Sequence, residues 1–407
     1  MRAAGIIAEY NPLHKGHEYH IAQARKTTGC DAVVVAMSGD FVQRGAPAVF
    51  DKWERAEHAL RSGADLVIEI PVLHCLGNAG QYASAGVSLL ESLGTVSHIA
   101  FGSESGDLEL LRNTAEFLNA ESTRLEEQIR ALGRNGFSYP AARAKAFELL
   151  GGSSDAVKLL ERPNDILAVE YIRQMKNAAP VAIRRLGASY GQDVTDNAQY
   201  QSASGIRNIM SAGGDVSGYV PEHVDTAVRA LGTADITERE RRLFDLVRYA
   251  VISSSPEYID DCPSGGEGLG NLLHSNIREA ESLDDLISRA KSRRYTYTRI
   301  SRLLMQILLG ITRSAYCADG SSYSACPGYI RVLGFNDTGR ALLSEIRNQE
   351  LASLPVITNI NKEKDLLSGS AVRSLELDVH AADIYNLIMG RSIAGHSDHR
   401  IRPVYPE

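Results

Sequence analysis

Two hydrophobic patterns alternate along the first hundred residues. Short unbroken apolar runs at Ala3 to Ala8, Asp31 to Met37 (DAVVVAM), Asp65 to Ile70 (DLVIEI) and His98 to Phe101 read as strands covered on both faces. Between them, His17 to Lys26, Asp51 to Arg61 (with Gly63 at its end) and Asn78 to Leu93 (stopped by Gly94) carry helical spacing. This βαβα order predicts a parallel sheet wound with helices. Such sheets bind ligands beyond the carboxyl ends of their strands, so the segments after the first, second and fourth strands are the places to look.

Further along, Gly106 to Leu150 is mainly helical, and Arg162-Pro163-Asn164-Asp165 opens a helix with proline in its first turn. Val181 to Leu186 fits another strand. Ser202 to Met210 reads as a Ser-capped helix that Gly213-Gly214 ends. The texture then changes. Pro221 to Leu231, Thr237 to Ser253, Gly268 to Ala280, Leu283 to Ala290 and Tyr295 to Ile311 all read as helices. A strand signal returns at Gly328 to Phe335, followed by a helix at Thr338 to Arg347 and a short apolar run at Leu354 to Ile360. The expected fold class is α/β: a Rossmann-like parallel-sheet domain over residues 1–214, then a mainly helical C-terminal domain with a small α/β segment over 215–407.

Composition narrows the classes. With 44% hydrophobic and 23% charged residues the chain has material for a sizeable core and too much for general disorder. A net charge of -7 argues against a protein that coats DNA, while leaving room for a local basic face for RNA. Cys30, Cys75, Cys262, Cys317 and Cys326 are odd in number and widely spaced, with no C-x-x-C pair, which fits reduced thiols rather than a disulfide framework or zinc ribbon. No stretch approaches the roughly 20 apolar residues of a membrane span. A cytoplasmic protein without membrane or DNA partners is expected.

The strongest chemical signal is Asn11-Pro12-Leu13-His14-Lys15-Gly16-His17, between the first strand and its helix. Helix N-termini present free N–H groups and a positive dipole end to anions. Gly16 permits close approach of backbone to a phosphate, and His14 and His17 can donate to phosphate oxygens as charge builds up. The bland reading is a pair of capping histidines. Ser202-Ala203-Ser204-Gly205-Ile206-Arg207 is a second helix start with hydroxyls and a charged fork, and alone it would pass for a simple N-cap. In Ser38 to Gly45, Gln43 and Arg44, with Lys52 beyond, carry functional and structural readings of equal weight, and Asp40 reads as a turn former. His74 and Cys75 read as fold residues. The run Lys291-Ser292-Arg293-Arg294-Tyr295-Thr296-Tyr297-Thr298-Arg299-Ile300-Ser301-Arg302 interleaves cations, which pair with phosphates, with tyrosines, which stack on unpaired bases.

His14-Lys15-Gly16-His17 after a first strand resembles the H-x-G-H signature of the nucleotidyltransferase superfamily, which includes class I aminoacyl-tRNA synthetases, and SASGIR resembles its second motif. The likeness goes further. AEYNPLHKGHEYH, MSGDFVQRGAPAVFDKWERAEHALRSGADLVIEIP, FGSESGD, RPNDILAVEY, SASGIRNIM, KSRRYTYTRISRLLMQILLGI and YIRVLGFNDTGRALLSEI resemble the bacterial tRNA(Met) cytidine acetate ligase family. The resemblance covers nearly the whole chain and is weakest over Gly106 to Val157, Asp215 to Pro263 and the last dozen residues. It implies an ATP-binding nucleotidyltransferase-like domain followed by a tRNA-binding one. It also implies a two-step reaction. Acetate and ATP give acetyl-adenylate and pyrophosphate; the acetyl group then passes to N4 of the wobble cytidine, position 34, of elongator tRNA(Met), giving N4-acetylcytidine.

Carried over residue by residue, His14 and His17 are the expected catalytic pair. ATP is expected on Ile7, Ala8, Glu9, Tyr10, Asn11, Pro12, Leu13, His14, Lys15, Gly16, His17 and His20, on Gly102 and Asn164, on Arg184 or Arg185, and on Ser202, Ser204 and Arg207. Lys291, Arg293, Arg294, Tyr295, Tyr297 and Arg299 are the expected tRNA contacts. Mg2+ is expected with ATP, without an assigned protein ligand. The competing reading is a small-molecule adenylyl- or cytidylyltransferase of the same superfamily, which leaves the residues after the boundary and the basic Tyr-rich helix unexplained.

Overall fold

A computed structural model describes residues 1–137, 139–185, 200–292, 294–313 and 326–406. The strands are β1 (Ala3–Ala8), β2 (Ala32–Ser38), β3 (Phe41–Val42), β4 (Ala46–Pro47), β5 (Leu66–Ile70), β6 (Val96–Ser103), β7 (Ala179–Arg184), β8 (Ile330–Phe335) and β9 (Val356–Ile357). Seven form one sheet in the order β7-β6-β1-β2-β5-β8-β9. The strands β7, β6, β1, β2 and β5 are parallel, as the alternation of strand and helix signals predicts. Every residue of β2 and β5 is buried, the environment their unbroken apolar runs call for.

Three features go beyond the pattern. β6 runs well past His98 to Phe101 at both ends because it pairs with β1 on one side and β7 on the other. The loop after β2 holds the small hairpin β3–β4. The strand expected near Gly328 to Phe335 joins the same sheet, antiparallel to β5, and β9 pairs parallel to it.

The principal helices are α1 (Lys15–Thr28), α2 (Lys52–Arg61), α3 (Ala79–Ser92), α4 (Pro163–Gln174), α5 (Ala203–Ser211), α6 (Thr233–Ser253), α7 (Tyr297–Leu308), α8 (Asp337–Asn348) and α9 (Ser370–Met389). One apolar core joins the sheet to α3, α4 and α8; a second joins its other face to α1, α2 and α5. A third, helical core gathers α6, α7 and α9 around Phe41 of β3 and Val72, Leu73 and Leu76. α9 escapes the hydrophobic pattern because Ser374, Asp378 and Asn386 are buried along with its apolar residues. Asp378 accepts the Val72 N–H at 2.7 Å and the Tyr329 hydroxyl.

Three buried cations tie these parts together. Arg55 is fully buried and donates from Nε to Phe50 O (2.9 Å), from one terminal nitrogen to Glu9 O (2.7 Å) and Ser38 O (3.0 Å), and from the other to Gly39 O. It thereby joins the ends of β1 and β2 to the start of α2. Lys52 pairs with Glu69 of β5 (2.9 Å) and Asp398 (2.6 Å), and Arg331 of β8 pairs with the same two carboxylates at 3.1 and 2.8 Å. Trp53 Nε1 donates to Asp398 at 3.2 Å. Removing one member of such a network strands the others in a poor dielectric.

Replacing Arg55 with Lys keeps the charge and loses the fork. Urea unfolding should show a loss of about 3 kcal/mol or more; a change within about 0.5 kcal/mol would contradict the bracing role. A second expectation concerns pH. Burial lowers the His74 pKa to about 4 from 6.5. The folded state therefore favours neutral His74, and that contribution is present above about pH 6.5 and drains as pH falls. Asp40 and Asp378, both raised to about 7 by burial, act in the opposite sense, so a difference measurement is needed. The stability advantage of the protein over His74→Gln should shrink by up to about 2 kcal/mol between pH 7 and pH 5; a constant difference would show that His74 does not titrate with folding.

Candidate active site

The loop between β1 and α1 is built around two histidines that cap one another. His14 is the N-cap of α1, with φ -140° and ψ 169°, and its Nδ1 accepts the Gly16 N–H at 3.1 Å. His17 Nδ1 accepts the His14 N–H at 3.3 Å, which closes a capping box with imidazoles in place of the usual oxygens. The rings stack with centroids 3.6 Å apart, and Tyr10 meets His17 edge-on at 4.9 Å. Gly16 is small for a reason: a Cβ there would stand 2.9 Å from His14 Cε1.

This cap sets the chemistry of both rings. An Nδ1 that accepts a backbone N–H carries no proton, so the neutral ring holds its proton on Nε2. Burial, then the nearby Arg185, lowers the His14 pKa to about 3 and the His20 pKa to about 4. His17 is pushed well below its ordinary value by burial, His14, Arg185 and His20 in turn. At neutral pH the pair is uncharged, with two Nε2–H donors as its remaining hydrogen-bonding groups.

These residues line a cavity of about 940 Å3 at the carboxyl ends of β1 and β6. That is the upper end of the range for small-molecule sites and leaves space beyond one nucleotide. Of the residues expected on ATP, Ile7, Ala8, Glu9, Tyr10, Asn11, His14, Gly16, His17, His20, Gly102, Asn164, Arg184, Arg185 and Ser202 line it. The other five stand off the wall. Leu13 is core, and Pro12 and Ser204 are not among the lining residues. Lys15 Nζ donates to Gly218 O at 2.8 Å. Arg207 braces the loop from behind, donating to Asn11 O at 2.6 Å and Ser204 Oγ at 3.3 Å.

FGSESGD and RPND meet in a reciprocal clasp. Asp165 accepts the Glu104 N–H (3.0 Å), the Ser105 N–H (3.1 Å) and Ser103 Oγ–H (2.5 Å). Glu104 accepts from the Asp165 N–H at 2.9 Å and from the Asn164 amide group. Arg185 then donates to Asn164 Oδ1 at 3.3 Å. Gly102 makes room for this, since a Cβ there would fall 3.3 Å from Arg185 Cγ. Arg184 instead lies over Gly106. Of the two arginines, Arg185 is the one that acts on the histidines.

The remaining wall was only partly legible. Gln43 and Arg44 stand on it, as do Tyr82, Phe101, Arg143, Leu160, Leu167 and Tyr171, whose apolar positions look like ordinary core in the sequence. Arg143 is paired with Glu170 at 2.9 Å. Asp40 and Lys52 are buried away from the cavity. Among the described residues no group of three His, Cys, Asp or Glu side chains is placed to hold a metal.

The basic segment is divided. Lys291, Arg294 and Tyr297 are exposed, while Arg293 lies outside the described residues. Tyr295 is buried and donates to Glu267 O. Arg299 is occupied with Ser264 O (3.0 Å), Gly265 O (3.2 Å) and Glu267 (3.1 Å). Thr296, Thr298 and Arg302, between and after them, line the cavity.

Residues 1–399 match the family HIGH Nucleotidyl Transferase. The chain is 36% identical over 417 residues to the tRNA(Met) cytidine acetate ligase of Clostridium perfringens, covering 99% of each, and 34% identical to that of Clostridium novyi, covering 100% of each. Its fold superposes on the apo crystal structure of Thermotoga maritima TmcAL with a TM-score of 0.88 at 31% identity, covering 100% of this chain and 99% of that one. The structure of the same protein bound with alpha-thio ATP gives 0.85. The chain therefore belongs to the HIGH nucleotidyl transferase family and, within it, to the tRNA(Met) cytidine acetate ligases.

Proposed function

We propose that this chain joins acetate to tRNA at the expense of ATP. An acetate oxygen attacks the α-phosphorus and expels pyrophosphate. The N4 amine of the wobble cytidine, position 34, of elongator tRNA(Met) then attacks the acetyl carbon and loses a proton, giving N4-acetylcytidine and AMP. The observation that carries this reading is the histidine pair. Two uncharged rings, each with its proton held on Nε2 by the cap, stand at a helix N-terminus on the wall of a large cavity.

Displacement at phosphorus by acetate needs no protein nucleophile. Catalysis rests on positioning and on charge stabilisation where negative charge develops. His14 and His17 donate from Nε2 to the phosphate oxygens, and the α1 dipole adds to them. Arg185, fixed by Asn164, supplies positive charge to the same region. Ser202 and its helix α5 grip the nucleotide, while Arg207 acts through the Asn11 backbone. Magnesium would accompany the ATP phosphates, and no protein ligand is assigned to it. Residues 1–214 hold ATP and residues 215–407 receive tRNA, with Lys291, Arg293, Arg294 and Tyr297 as outer contacts and Tyr295 and Arg299 supporting them. The reaction belongs to the cytoplasm, and no described helix is long and apolar enough to cross a membrane.

Protein incubated with ATP, labelled acetate and elongator tRNA(Met) should place label in the anticodon nucleoside. Label arriving from acetyl-CoA and not from acetate, or pyrophosphate release that depends on a phosphorylated acceptor, would overturn the reading. His14→Ala and His17→Ala should each lower acetate-dependent pyrophosphate release by about 10^2 to 10^3. The double variant should lose far less than the product of the two, because the rings cap and stack on one another and act as one unit. Fully multiplicative losses would show that they act independently.

A further inference from the structure

The cavity also carries a cation contributed by α7. Arg302 stands on α7, facing the cavity. Its Nε is buried without a hydrogen-bond partner among the described residues, whereas Arg143, Arg185 and Arg299 on or near the same cavity each have one. Burial and the neighbouring Arg299 bring its pKa down to about 10. A cation held this way lacks an anion.

Arg302 stands apart from the histidine pair. The charge acting on His14, His17 and His20 comes from Arg185, and Arg302 has no part in it. Arg302 belongs instead to a track that begins outside. Lys291 and Arg294 are exposed, and Thr296 and Thr298, next along the chain, stand on the cavity wall. The end of the track is rigid. Ser301 Oγ donates to Gly45 O at 2.7 Å, and Gly45, at φ +84°, lets the loop after β2 approach so closely that a Cβ would stand 2.3 Å from Arg302 N. Hydroxyls leading to a single guanidinium match a phosphodiester, which contributes position rather than sequence. Enzymes that act on a base take it out of its stack into a pocket, and an unpaired loop base leaves most easily.

We propose that Arg302, with Thr298, holds the phosphodiester of the tRNA nucleotide that enters the cavity, placing its cytosine amine beside the adenylate. This rests on the acetate-ligase reading of the site. Failure of the unaltered protein to transfer acetyl groups to tRNA would defeat that reading first, whatever Arg302 does.

Arg302→Gln in the full chain separates the outcomes. Acetate-dependent pyrophosphate release without tRNA should stay within about twofold, while the KM for tRNA rises roughly tenfold. The slope of log(kcat/KM) against log salt should become shallower by about 0.7, one single-strand phosphate contact. Arg302→Lys should recover most of the loss. Thr298→Val, which leaves every charge in place, should raise the KM less and leave the slope unchanged, and it carries the test should Arg302→Gln melt early. Loss of pyrophosphate release in Arg302→Gln would assign the guanidinium to ATP or acetate. An unchanged KM and slope in a folded variant would show that it touches no phosphate. Either result overturns the proposal.

Discussion

A guanidinium enclosed by backbone carbonyls holds the working edge of this protein together. Parallel strands end in carbonyls that have lost their sheet partners, and here those of Glu9, Ser38 and Gly39 converge on Arg55 with that of Phe50 from the start of α2. Carbonyl dipoles solvate the charge, and the charge satisfies acceptors that would otherwise be stranded. The fork geometry matters as much as the charge, because its donors point along fixed directions in one plane. The Glu9 that Arg55 fixes also receives the Gln43 N–H, so the loops after β1 and β2 become one piece. The histidine cap stands on that piece.

The cap converts a folding requirement into a chemical state. Helix ends need partners for their first N–H groups. Using imidazole Nδ1 atoms for the purpose decides the tautomer before any ligand arrives, and burial decides the charge. Both rings are therefore preorganised donors whose orientation costs nothing at the moment of reaction. Gly16 is read from the sequence as space for a phosphate. In the structure the space is first taken by the His14 ring itself, so the glycine serves the cap.

The legible features came from local pattern. The unbroken runs of β1, β2 and β5, the Ser202 cap and the proline opening α4 each declare themselves in a few residues. The hidden ones depend on partners far away in the chain. Arg55 looks like one more charge on an amphipathic helix, and only the loops folded over it make it interior. The helix α9 buries Asp378 against Val72 and Tyr329, so its inward face does not read as apolar. The basic run offered Tyr295 and Arg299 as tRNA contacts on composition and family resemblance, and both are committed to the turn at Ser264 to Glu267. Composition shows which groups are present, and only packing shows which remain available.

The same long-range contacts govern how the two halves of the site relate. β8 completes the sheet by pairing with β5, and Arg331 on it shares Glu69 and Asp398 with Lys52 of α2. On the opposite flank, Phe41 of the β3–β4 hairpin is packed into the helical core, and Gly45 in its turn touches the backbone of α7. The hairpin grows from β2, whose end Arg55 braces. The wall bearing Arg302 is thus referred, through contacts at van der Waals and hydrogen-bond distance, to the strand ends that carry the histidines. Transfer of an acyl group from an adenylate to an amine demands that two walls of one cavity keep a fixed separation. Here that separation is set by buried backbone contacts rather than by a linker.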